Sequence, residues 1–331
     1  MIKRGIKMDQ IILDFPKQFR VGIEIAEKIK VSRNFNRIII CGMGGSALSA
    51  DILKIWLEFY KIKCPIIVHR NYNLPYWVSE QDLIVCVSYS GNTEETLSAF
   101  EEAQKRKNRI IAITTGGQLA ILCEKYKIPV AIMPAGLPPR MALGIQFAAL
   151  IKILVNCGVL INKERLEEVL SLERSLKPKE LESQGKKISE KIGDKIPIFY
   201  ASERLKALTQ NWKINFNESP RIPTFVNYFP ELNHGEMAGF EKSRGNFQVI
   251  IFKDPTDHQR ILKRMELTAS IIGKRGIEVS IVELKEGDIL NKIFSNIILA
   301  LWSAYWLAIK LRVDPLSTET IEEFKQKLIQ E

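Results

Sequence analysis

Short apolar runs and segments of helical period alternate along most of the chain. Residues 37–41 (RIIIC) form a β-branched apolar run, the pattern of a strand buried on both faces of a parallel sheet. A glycine-rich turn follows at 42–46 (GMGGS), and residues 47–60 then carry apolar positions at helical spacing. Further apolar runs predict strands at 65–69, 83–88, 109–115 and 128–134, with helices over 94–106 and 118–126. A helix over 141–160 closes this series. Residues 161–194 are charged, contain Pro178 and Gly185, and predict a connecting helical segment. A second series then begins, with strands at 196–202, 247–252 and 277–284 and helices over 203–219, 257–276 and 288–312. Strands alternating with helices predict an α/β fold, a parallel sheet covered on both faces. Two such series predict two doubly wound domains. The first spans 1–160, with an N-terminal helical segment over 1–36; the second spans 195–331 and ends in C-terminal helices.

One stretch departs from this alternation. Residues 293–309 (IFSNIILALWSAYWLAI) are apolar enough to suggest a membrane span. The run is interrupted by Ser295, Asn296 and Ser303, ends at Lys310, and falls just short of the roughly 18–20 residues a span needs. It is expected to be a buried helix in a packed core or at a subunit interface, with no membrane partner. The first 20 residues mix charge with apolar groups and contain no continuous apolar run, so no signal peptide is expected.

Composition narrows the function classes. The chain has 331 residues, 46% apolar and 26% charged, which suits two globular domains. The net charge of +10 is spread through mixed runs such as 101–109 (EEAQKRKNR) and 163–180, which read as solvated helix faces. No basic stripe with interleaved aromatics points to nucleic acid, whereas attraction of a small anion stays open. Of the five cysteines none forms a CxxC pair, and most sit in apolar runs, the usage of a reducing, cytoplasmic compartment. The three histidines, His69, His234 and His258, are far apart in sequence, so no metal site is expected.

The candidate chemistry begins at the turn 42–47 (GMGGSA). It follows a strand and opens a helix, where backbone N–H groups and the helix dipole hold an anion. It is also close to a dinucleotide fingerprint, but the acidic residue expected some 20 positions on is replaced by His69 and Arg70. Arg70 keeps an NADP oxidoreductase open as an alternative. The loop 88–96 (SYSGNTEET) favours a phosphate monoester instead. Ser88, Ser90, Asn92 and Thr93 cluster on one strand-to-helix turn, with Gly91 permitting a tight bend. A helix N-cap needs one such residue, and this loop has four.

These two loops resemble those of the sugar isomerase (SIS) domain, and the resemblance extends over nearly the whole chain. With 137–144 (LPPRMALG), 214–219 (INFNES), 232–240 (LNHGEMAGF) and 310–315 (KLRVDP), the sequence is similar to the archaeal-type bifunctional phosphoglucose/phosphomannose isomerases. That family implies two tandem SIS domains, a homodimer, and no cofactor. It implies interconversion of glucose 6-phosphate, fructose 6-phosphate and mannose 6-phosphate through a cis-enediolate. Such a reaction needs one base that serves two carbons, positive charge near the enediolate oxygen, a ring-opening acid/base pair and a phosphate anchor.

The resemblance makes Glu218 the base, at the end of the predicted helix and just before Pro220. Arg140 follows Pro138 and Pro139, which stiffen the turn presenting a fixed positive charge. His234 lies in a glycine-bearing segment without clear periodicity and is assigned to ring opening, with Lys310 assisting. In the resembled family this histidine reaches in from the other subunit. Gly45 and Ser46 join Ser88, Ser90, Asn92 and Thr93 in holding substrate and phosphate. Ser303 stands seven residues before Lys310, where conventional phosphoglucose isomerases carry a glutamine, and is expected to admit mannose 6-phosphate. A non-catalytic sugar-phosphate regulator remains an alternative. It would keep the 88–93 loop but could lose Glu218, His234 and Lys310, and it would often carry a DNA-binding domain for which residues 1–36 are too short.

Overall fold

The computed structural model describes residues 7–160, 164–285 and 287–329. The chain divides into two compact units. One gathers Leu13–Lys177 with Asp288–Ile293; the other gathers Lys7–Ile12, Pro178–Gly287 and the chain from Phe294 onward. In sequence order the elements are α1 (Met8–Asp14), α2 (Gln18–Ile25), β1 (Ile38–Cys41), α3 (Gly44–Phe59), β2 (Ile66–His69), β3 (Leu83–Ser88), α4 (Glu94–Lys105), β4 (Arg109–Thr114), α5 (Gly117–Tyr126), β5 (Val130–Ile132), α6 (Leu143–Asn156) and α7 (Glu164–Ser175). They continue with α8 (Pro178–Ile192), β6 (Ile196–Ser202), α9 (Lys206–Glu218), β7 (Phe225–Phe229), β8 (Phe247–Lys253), α10 (Gln259–Gly273), β9 (Glu278–Glu283), α11 (Ile289–Leu311) and α12 (Glu319–Ile329). The segment expected to connect two domains is thus two helices, α7 in the first unit and α8 in the second. Residues 161–163 of that segment lie outside the described residues.

The first unit holds a five-stranded sheet in the order β2-β1-β3-β4-β5, every pairing parallel. All four positions of β1 and all six of β3 are buried, as their unbroken apolar runs require. One core packs Ile39, Cys41, Ile84, Cys86, Phe100, Leu119 and Cys123 together, so three of the five cysteines act as small apolar side chains. Burial pushes the Cys123 thiol up to about 11, which keeps it protonated and inert.

The second unit holds a four-stranded parallel sheet in the order β7-β6-β8-β9. One core gathers Tyr200, Phe229, Val249, Ile251 and Met265. A second aromatic cluster forms around Phe199, whose ring centroid lies 5.0 Å from Trp212 and 5.9 Å from Phe252. The apolar stretch expected as a buried helix is α11, whose 23 residues suffice in length and composition to cross a membrane; 78% of its most apolar window is buried. Its Asn296 is satisfied inside the fold, accepting from Trp212 Nε1 at 2.8 Å. Helix α8 approaches α11 closely because Gly185 has no side chain: a Cβ there would stand 2.5 Å from Trp302 Cβ.

Candidate active site

In the first sheet the chain runs from β1 outward to β2 and then crosses to β3, so the strand order reverses between β1 and β3. Open α/β sheets bind ligands at such a point, beyond the carboxyl ends of the strands. The two loops singled out by sequence follow those two strands. After β3, the Ser88 and Thr93 hydroxyls meet at 2.9 Å, and Ser88 Oγ also accepts from Gly91 N at 3.0 Å. Ser90 Oγ accepts from Asn92 N at 3.2 Å, and Asn92 Oδ1 accepts from Gln118 N at 2.9 Å, which ties the loop to the start of α5. Thr93 precedes α4, yet no side chain caps that helix. Its N-terminal N–H groups therefore lack a side-chain capping oxygen, the arrangement in which a helix start can hold an anion. The carboxylate of Glu94 is drawn aside by the Tyr72 hydroxyl, 3.1 Å away, which moderates its repulsion of an anion.

Three further contacts shape this site, and each joins residues far apart in sequence. Tyr89 carries the cradle to the next loop: its phenol accepts from Leu137 N at 2.9 Å and donates to Pro134 O at 3.4 Å. Arg140 follows in a short 3-10 turn over Pro139–Met141 and is only 3% exposed. It is no surface ion-pair residue. Gly45 abuts it, since a Cβ at Gly45 would lie 3.0 Å from Arg140 Cα. Ser46 is 6% exposed and its Oγ accepts from Gln146 Nε2 at 3.3 Å. Gln146 was not foreseen, though an amide inside the otherwise apolar stretch 141–151 is a signal that could have found it.

The second unit carries the remaining candidates on three separate elements. Glu218 is the last residue of α9 and is half-buried; Ser219 behind it is fully buried. Lys310 is exposed in the last turn of α11. Ser303 is fully buried, and its hydroxyl donates back to Leu299 O at 2.8 Å. His234 ends a short 3-10 turn, Glu231–His234, and is exposed. It lines a cavity of about 510 Å³ together with Met237, Arg264, Thr268, Ile271 and Arg275.

The reversal point of the second sheet lies between β6 and β8, and it is closed by the chain itself. Arg204, after β6, donates to Asp254 at 2.8 Å and to Asp257 at 2.9 Å, both beyond β8. The following helix is capped by His258, whose Nδ1 accepts from Arg260 N at 3.1 Å. Carboxylates and a cap therefore occupy the place that hydroxyls and free N–H groups hold in the first unit.

With that geometry in place, the relatives are informative. Residues 33–135 match the SIS domain, and residues 181–328 match the bacterial phospho-glucose isomerase C-terminal SIS domain. The bifunctional phosphoglucose/phosphomannose isomerase of Caldicellulosiruptor bescii is 34% identical over 337 residues, covering 97% of this chain and 98% of that one. This chain belongs to the family of bifunctional phosphoglucose/phosphomannose isomerases. Within reach of the family is another chemistry: the D-glucosamine-6-phosphate 4-epimerase of Sulfolobus acidocaldarius is 32% identical over 268 residues, 80% of this chain and 77% of that one. Among solved structures, the C-terminal domain of glucosamine-fructose-6-phosphate aminotransferase from Francisella tularensis matches with a TM-score of 0.72 at 19% identity, covering 96% of this chain and 99% of that one. At that identity the likeness speaks for the fold. A phosphoglucose/phosphomannose isomerase built as two SIS domains accounts for the parallel sheets and for the hydroxyl-rich loop.

Proposed function

We propose that this protein is a cytoplasmic homodimer that interconverts glucose 6-phosphate, fructose 6-phosphate and mannose 6-phosphate. The observation that supports this best is the uncapped start of α4 facing the paired Ser88 and Thr93 hydroxyls, in a chain of this family. Ser46, Ser88, Ser90, Thr93 and the backbone N–H groups hold the phosphate by hydrogen bonds to its three oxygens. Gly45 lets the turn approach Arg140. His234 and Lys310 move the protons that open the sugar ring. Glu218 takes the proton from C2 of the aldose and returns it to C1, while the C1 oxygen gains a proton and the C2 oxygen loses one. Arg140 stabilises the enediolate between those steps. Return of the proton to either face of C2 separates glucose 6-phosphate from mannose 6-phosphate. Exposed His234, beside Leu267 and Ile271 at 49% and 40% exposure, supports a second copy on that face.

The test is incubation with fructose 6-phosphate in D₂O with EDTA and without nucleotide, followed by NMR. Glucose and mannose 6-phosphates carrying deuterium at C2 are the expected products. A second reading follows from the Sulfolobus relative: glucosamine 6-phosphate inverted at C4, with fructose 6-phosphate untouched, would replace the isomerase proposal.

Ser303 is assigned to packing on the strength of its burial. Ser303→Gln is expected to cost about 1–3 kcal/mol by overpacking beside Gly185 and to lower glucose and mannose 6-phosphate turnover alike. A variant with wild-type thermal stability that loses only mannose 6-phosphate turnover would return Ser303 to the role of a specificity residue.

A further inference from the structure

The segment that carries His234 has no long element to hold it. Two short 3-10 turns, Glu231–His234 and Glu236–Phe240, meet at Gly235. Leu232 and Phe240 anchor it in the core beneath β6 and β8. Such apolar anchors fix depth but not orientation. The polar contacts do more.

Tyr200 on β6 and Asn227 on β7 are register partners, so their side chains leave the sheet on the same face. The carboxylate of Glu236 sits over both: one oxygen accepts from the Tyr200 hydroxyl and the other from Asn227 Nδ2. The Asn227 amide is itself oriented, because its Oδ1 accepts from Tyr228 N at 2.8 Å. Tyr200 is fully buried, with its ring edge-on to Phe229 at 6.2 Å. Burial and the neighbouring carboxylate hold its phenol well above the ordinary range, so it remains a donor at any working pH. On the other side of His234, Asn233 donates to Thr268 Oγ1 at 2.9 Å and accepts from Arg264 Nη1 at 3.2 Å. The exposed histidine is thus flanked by two pinned residues.

We propose that Glu236, seated between Tyr200 and Asn227, is a positioning residue that orients His234 for ring opening. Two directed, charge-assisted hydrogen bonds from a rigid sheet define an angle as well as a distance, which apolar burial alone does not. The inference rests on the ring-opening role given to His234 above.

A double-mutant cycle tests it. Tyr200→Phe removes one hydroxyl from the socket, and Glu236→Leu removes both acceptor oxygens at similar volume, leaving Tyr200 and Asn227 without that partner. Each is made in wild type and in His234→Ala, with kcat and KM measured on cyclic fructose 6-phosphate and on an open-chain analogue. Either variant in the wild-type background is expected to lower kcat on the cyclic substrate about 10- to 100-fold, with a smaller loss on the open-chain analogue. In the His234→Ala background the same substitution is expected to cost little more, because its effect passes through the histidine. Equal losses in both backgrounds, equal losses on both substrates, or wild-type kcat for either folded variant would overturn the positioning role. A wild-type protein without isomerase activity would remove the functional reading itself, a result separable from all of these.

Discussion

Glu218→Gln is expected to lower kcat by about 10²- to 10⁴-fold while leaving KM for fructose 6-phosphate near its wild-type value. The substitution preserves shape and hydrogen-bonding reach, but a neutral amide cannot accept the carbon-bound proton. The position itself argues for a chemical use. Glu218 closes α9, and a carboxylate at a helix C-terminus meets the negative end of the dipole. Helix stability would favour a lysine there. The chain then leaves abruptly through buried Ser219 and Pro220 and exposed Arg221, the last held at φ +59°. A residue that local energetics disfavour, fixed by a sharp exit, fits a functional demand. Thermal stability is expected to be unchanged or slightly raised. The direct readout is exchange of deuterium into C2 from solvent, which should vanish together with turnover. A variant retaining more than a tenth of wild-type turnover would show that another group is the base.

The fold was legible where burial is continuous. Strands β3 and β6 lie where the sequence places them, because both are apolar across their width and face helices on both sides. Strand β7 was not foreseen. It is an edge strand, its burial is mostly partial, Asn227 breaks its apolar run, and Pro223 and Pro230 bracket it. Edge strands carry a weak hydrophobic signal because only one neighbour covers them.

The hydroxyl cluster of the loop 88–93 was legible for a different reason: Ser88, Ser90 and Thr93 lie close together in sequence, so the chain itself gathers them. Arg140 against Gly45, Gln146 on Ser46, and Glu236 between Tyr200 and Asn227 are tertiary contacts, and no local pattern announces them. The closing of the second sheet's reversal point by Arg204, Asp254 and Asp257 was hidden in the same way. Tandem repetition of a fold predicts two anion cradles. Side-chain chemistry fills the second with the chain's own ion pair, while the first carries hydroxyls and a helix start without a side-chain cap.

Gly91→Ala is expected to be the most damaging single-methyl change in the first unit. Gly91 holds φ at +72°, a left-handed conformation that costs a residue with a Cβ about 1–2 kcal/mol. A Cβ there would also overlap the carbonyl oxygen of Gly116 and stand 2.8 Å from Thr114 Oγ1. These neighbours cannot rotate away, because Thr114 Oγ1 donates to Gly116 O at 2.9 Å and Gly91 O accepts from Leu119 N at 2.9 Å. Overpacking of a rigid site adds about 1–3 kcal/mol, for a combined cost of about 2–5 kcal/mol. The strain falls on the bond from Gly91 N to Ser88 Oγ, and hence on the hydroxyls proposed to hold the phosphate. The variant should therefore show a lower denaturant midpoint and a KM for fructose 6-phosphate raised at least about tenfold, as loss of one charge-assisted hydrogen bond implies. Gly273→Ala is the control: its Cβ would meet nothing within 4 Å and its backbone is unstrained, so stability and KM should hold. If Gly91→Ala matches that control in both measurements, the loop 88–93 neither requires its glycine nor depends on its seat against Gly116. The phosphate would then have to be held elsewhere.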